Sequence, residues 1–86
     1  MGANLVGFEL ETRLADAQAV GRRVMLKRRD GGLAAIILVL ADTRWNRATL
    51  AGSVPTLRSS FPLGGREILT ALTAGEAPPE NGILMV

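Results

Sequence analysis

Two glutamates stand two residues apart in VGFELET, Val6 to Thr12. An extended strand sends alternate side chains to opposite faces, so Glu9 and Glu11 share one face, about 7 Å apart along the strand. Val6, Phe8 and Leu10 share the other face. Two carboxylates at that separation can hold one divalent cation, Mg²⁺ or Mn²⁺, together with waters. Such an ion activates water and offsets charge on a phosphodiester. The competing reading is purely electrostatic: both carboxylates face solvent, or pair with Arg13 and the basic residues downstream. Spacing alone favours this second reading, because paired glutamates on strands are common.

The second feature is GRRVMLKRRDGG. Five of the ten basic residues, Arg22, Arg23, Lys27, Arg28 and Arg29, fall in one short stretch. At the end of a helix they complement the negative pole of the macrodipole. They can equally contact phosphates, giving salt-sensitive and sequence-independent affinity for DNA. Helical spacing spreads them around the exposed side, and no aromatic residue interleaves with them, which favours a solvated helix end. The third feature is DTRWNR, Asp42 to Arg47. Asp42 follows an apolar run and can cap a helix, and it stands where ligands bind in open α/β sheets. Arg44 and Arg47, three apart, can clamp an anion or hold Glu9 and Glu11. Trp45, the only Trp, reads as packing because no second aromatic platform accompanies it. Gly64-Gly65 lacks the Lys-Ser/Thr of a phosphate-binding loop and reads as a turn.

These residues need elements to carry them. A chain of 86 residues implies one domain, residues 1–86, near the lower limit for a self-sufficient core. Its apolar fraction of 48% supplies that core, and with only Phe8, Trp45 and Phe61 aromatic the core must be aliphatic. That favours helices packed on a sheet. The net charge of +2 does not by itself imply a nucleic-acid partner. Cysteine, histidine and tyrosine are absent, which removes disulfides, thiolate zinc sites and Ser-His or Cys-His catalysis within this chain. A cytoplasmic location fits the lack of cysteine. The longest apolar run, Leu33 to Ala41, falls well short of the roughly 20 residues needed to span a bilayer, so no membrane association is expected.

Alternation predicts a strand over Leu5 to Glu11. From Thr12, as N-cap, to Arg29 the period becomes helical, with Leu14, Ala17, Val20, Gly21, Val24 and Met25 inward. Asp30-Gly31-Gly32 stops that helix. Ala34 to Ala41, apolar on both faces, reads as the central strand of a covered parallel sheet, completing a βαβ crossover. Asp42 or Thr43 caps a helix through about Leu50, a short helical piece spans Pro55 to Ser60, and a further helix spans Arg66 to Ala74 with Ile68, Leu69 and Leu72 inward. Gly82 to Val86 forms a last strand. The expected fold is α/β, a small sheet of about three strands with helices packed on it. Uncovered sheet edges point to a homodimer, or to association with a domain outside this chain.

VGFELETRLADAQAVGRRV, then IILVLADTRWNR and FPLGGREIL, resemble the C-terminal region of actinobacterial helix-turn-helix regulators of the XRE type. These carry a nuclease-like domain of the PD-(D/E)XK kind. The resemblance runs from about Val6 to the end of the chain and is most specific over Ala41 to Arg47. It implies the second half of a restriction-endonuclease-like core, lacking an N-terminal half. It also implies that Glu9 matches the metal-binding acid, that Glu11 stands where the family has lysine, and that Gln18 matches a glutamine on the following helix. With the lysine replaced and the upstream acid missing, the resemblance implies vestigial catalytic residues and a non-catalytic accessory domain of a DNA-associated regulator that self-associates. Two other readings remain open: a metal-dependent nuclease half-domain completed by another chain, and a direct DNA-binding module using Arg22, Arg23, Lys27, Arg28, Arg44 and Arg47.

Overall fold

The computed structural model describes residues 5–86. Three strands, β1 (Val6–Glu11), β2 (Ala35–Leu40) and β3 (Gly82–Met85), form one parallel sheet in the order β1-β2-β3. Helix α1 (Ala17–Gly31) links β1 to β2. Three helices, α2 (Arg44–Gly52), α3 (Val54–Ser60) and α4 (Gly65–Thr73), lie between β2 and β3. The α/β class, the three strands and the central place of β2 follow the sequence reading. No helix among the described residues is long and apolar enough to cross a membrane.

Register sorts the strand side chains. Phe8 pairs with Ile37 and Leu10 with Val39, whereas Gly7, Glu9 and Glu11 pair with Ile36, Leu38 and Leu40. The Ile36, Leu38 and Leu40 face carries the main core, against Leu14, Val20 and Val24 from the α1 segment and Leu57 and Phe61 from the α3 segment. On the opposite face α4 covers the β3 side. Ile68 lies over Gly82, where a Cβ would come within 2.6 Å of its Cδ1 and 2.8 Å of the Leu63 carbonyl oxygen. A glycine is therefore required for this helix to sit down on the sheet.

One boundary differs from expectation, and one of two offered caps is selected. The first helix starts at Ala17 with Asp16 as N-cap, its carboxylate accepting the Ala19 N–H at 3.1 Å, and Thr12 is not the cap. The turn before it is held by a tertiary contact instead: the Thr12 carbonyl and the Leu14 N–H are bonded to Asn46. Thr43, not Asp42, caps α2 through the Asn46 N–H. At the other end of α1, Gly32 takes the left-handed conformation (φ 62°) and its N–H reaches the Arg28 and Arg29 carbonyls.

The inward faces are also narrower than the periodicity suggests. Met25, Leu69 and Leu72 are exposed. Met25 sits a quarter turn from Val24 and points along the α1–α3 side, and α4 spans so little of the sheet that only Ile68 is fully enclosed. The stability ranking follows. Leu38→Ala, in the sealed centre of β2, is expected to cost about 2–5 kcal/mol. Leu69→Ala, on the exposed side of α4, should cost less than about 1 kcal/mol. Urea denaturation of the two variants checks the difference.

Candidate functional site

Glu9 and Glu11 project from β1 toward α1, not into open solvent. The Lys27 ammonium binds Glu9 Oε1 and the Arg23 guanidinium binds Glu11 Oε1, with Arg23 also 4.0 Å from Glu9 Oε2. The result is an alternating row, Lys27–Glu9–Arg23–Glu11, along the seam between strand and helix. The helical spacing of Arg23 and Lys27, four apart, matches the two-residue spacing of the glutamates on the strand, since each spans roughly 6–7 Å. The Glu9 side chain is only 15% exposed and that of Glu11 26%. The carboxylates share cations, but those cations are side chains of the same chain. Among the described residues no group of three or more acidic, histidine or cysteine side chains comes together. Gln18 does not join the glutamates; it lies on the other flank of α1.

The six candidate phosphate contacts are divided in the same way. Arg23 and Lys27 belong to the glutamate row. Arg28 lies 3.6 Å from the Glu80 carboxylate and 3.3 Å from Asn81 Oδ1. Arg47 is bonded to Asp42 through two nitrogens, Nη2 to Oδ2 at 2.8 Å. Arg44 is exposed in the first turn of α2, and Arg22 is exposed on α1. Arg22 and Arg29 line a groove of about 910 Å³ between α1 and α3, whose floor includes Ala17, Gly21 and Met25. A single basic stripe is not formed.

The sequence reading overlooked Asn46, the most highly constrained polar side chain here. It is fully buried. Its Oδ1 accepts the Leu14 N–H at 2.8 Å, and its Nδ2 donates to the carbonyls of Ala41 (2.8 Å) and Thr12 (3.0 Å). Beside it, Trp45 Nε1–H donates to the Leu14 carbonyl at 3.0 Å, and the Arg13 guanidinium stacks 4.0 Å above the indole. DTRWNR is thus a clasp that ties the β1–α1 turn to the β2–α2 turn. The available signal was an asparagine one turn inside a helix, a poor helix former placed where its side chain must be answering a tertiary demand. Asn81 does the same work at the opposite end of the sheet, where its Oδ1 accepts the Ile36 N–H at 2.8 Å. No buried side-chain nitrogen or oxygen among the described residues lacks a partner.

Two measurements follow from this geometry. Asn46→Ala strands the Leu14 N–H and the Thr12 carbonyl, while the Ala41 carbonyl keeps the Thr43 N–H. At about 1–3 kcal/mol for each buried unpaired group, a loss of roughly 2 kcal/mol or more is expected in urea denaturation. The second concerns Asp42, whose carboxyl is held below its ordinary 3.8 first by the hydrogen bond from Arg47. A depressed folded value means the contact stabilises above the unfolded value, and that this stabilisation disappears as pH falls through the folded one. A carboxyl NMR titration should place the Asp42 midpoint below 3.8, and Arg47→Ala should return it to the ordinary range.

No family model matches this chain, and neither a curated protein nor a solved structure matches it.

Proposed function

We propose that this chain is a non-catalytic interaction domain, the accessory part of a DNA-associated prokaryotic regulator, and that it acts by self-association. The observation that carries the non-catalytic reading is the Lys27–Glu9–Arg23–Glu11 row. A divalent ion entering between the glutamates would have to displace an ammonium and a guanidinium already paired with them. It would find no third carboxylate among the described residues to complete its shell. The lysine that a PD-(D/E)XK centre uses to stabilise developing charge has no counterpart beside Glu9, since Lys27 neutralises that acid outright. The DNA-associated setting rests on the resemblance of ADTRWNR and its flanking segments to regulator C-termini. Outside the glutamate row, Arg22, Arg28 and Arg29 border the groove between α1 and α3, and Arg44 stands exposed on α2.

Calorimetric titration of Mn²⁺ tests this reading. The wild type and Glu9→Gln/Glu11→Gln should both show no saturable heat. A saturable isotherm in the wild type that the double variant loses would overturn the proposal in favour of a nuclease half-site completed by a second chain.

A further inference from the structure

The edge strand β1 is inverted relative to an ordinary half-buried strand. Its acidic side chains face the covering helix, while its large apolar side chains face outward. Phe8 is 58% exposed and Leu10 70%, both on the face that α4 leaves uncovered, and Leu5 just before the strand is 57% exposed. The edge is bare as well. The Leu5 and Glu11 carbonyls accept from Ala34 and Ala41 on the β2 side, so alternation turns the N–H and C=O groups of Val6, Phe8 and Leu10 outward. No strand among the described residues pairs with them. Edges are ordinarily protected by charges, lysine above all, by proline or by a bulge. The only charges on β1 are Glu9 and Glu11, already paired with Lys27 and Arg23 on the helix side, and it has no lysine, proline or bulge.

From this edge we infer that β1 pairs antiparallel with β1 of a second copy of the chain, about a two-fold axis at Phe8. The inference rests on the self-association reading above and specifies its surface and register. Only registers that place Val6, Phe8 and Leu10 opposite one another satisfy the outward groups and keep like faces together. Centring the axis on Glu9 sets Glu9 against the partner's Glu9. Centring it on Leu10 sets Glu9 against the partner's Glu11. Like charges directly opposite are destabilising. Centring it on Phe8 sets Glu9 against the partner's Gly7, keeps both glutamates with their own Arg23 and Lys27, and places Val6 opposite the partner's Leu10. Centring it on Gly7 also avoids the clash but brings fewer residues of the strand into the pairing.

The helices tolerate this arrangement. α1 lies over the β1–β2 pair, about one strand spacing from the axis, so the two copies of α1 would run about 10 Å apart, an ordinary packing distance. By helical spacing the flank that α1 turns to its copy carries Asp16, Ala19, Arg23, Lys27 and Asp30. Lys27 stands over Glu9 next to the axis, so the copies of α1 overlap only at their C-terminal ends, where Asp30 comes beside the partner's Lys27. On the other face Phe8 and Leu10 from both copies merge into one apolar strip, and the three-stranded sheet doubles.

The absence of native cysteine makes the test clean. Sedimentation of the wild type at micromolar concentration should give a dimer, and Phe8→Lys should give a monomer that still unfolds in one cooperative thermal transition, now independent of protein concentration. Under mild oxidation, Phe8→Cys should cross-link rapidly, because facing hydrogen-bonded residues lie about 5.5 Å apart at Cα, within disulfide reach. Val6→Cys and Leu10→Cys should not, each being offset from its own copy by about 14 Å along the strands. If Phe8→Lys does not fold, the cysteine series alone decides. A dimer that cross-links equally at all three positions overturns the register, and one that cross-links at none overturns the surface; both leave self-association standing. A wild-type monomer overturns both, while the Mn²⁺ titration judges the non-catalytic reading separately.

Discussion

The buried amide of Asn46 is the constraint from which the arrangement of this domain follows. Its three side-chain bonds reach backbone groups in two turns, at Thr12 and Leu14 after β1 and at Ala41 after β2. An asparagine has one acceptor oxygen and two donor hydrogens, so one side chain satisfies this set without a water or a second residue. With Thr12 and Leu14 held there and Asp16 as the cap, α1 begins at Ala17, and Leu14 drops into the core as a loop residue. That fixed start sets the phase of α1. Val20 and Val24 then meet the sheet, and Arg23 and Lys27 fall over Glu9 and Glu11. A helix begun at Thr12 would have carried its basic residues elsewhere.

Asn81 supplies the matching constraint at the other end. It precedes β3 and takes the Ile36 N–H, a group that β3 begins too late to reach. It also receives Arg28 and contacts Met25 Sδ at 3.4 Å, which fastens the last turns of α1. The sheet is short, and each end is closed by a buried amide where a longer ladder would otherwise serve. Neither asparagine is at a position where periodicity or capping rules call for one.

This explains which parts were legible in the sequence. Strand and helix types could be read because β2 is uniformly apolar, α1 has a clear 3.6 period, and glycine and proline punctuate the rest. Gly32 as the left-handed stop needed no tertiary information. The start of α1 was not legible, because local capping chemistry permits Thr12 and the contact with Asn46 that holds this turn is distant in sequence. The exposure of Leu69 and Leu72 was not legible either, since a helix period shows which face is apolar but not how much sheet lies beneath it. For Glu9 and Glu11 the shared face was readable from alternation. Their occupation by Arg23 and Lys27 was a matter of phase, and the sequence left it open beside the metal-binding alternative.

The inversion of β1 has a packing cause. Gly7 lies on the α1 face, where a Cβ would stand 2.8 Å from Leu33 Cδ1 and 3.3 Å from Ile36 Cγ1. A slip of one residue would flip every side chain, bringing Phe8 and Leu10 inward, but it would also press a full side chain into the space that only Gly7 fits. The register is therefore locked with the glutamates inward. Burying part of their surface is tolerable because Arg23 and Lys27 neutralise them. The same lock leaves Phe8 and Leu10 on an open face beside a backbone edge that no strand among the described residues pairs with. Pairing with a second copy removes both exposures at once, and the charge pattern that made the inward face stable is what excludes the registers centred on Glu9 and Leu10.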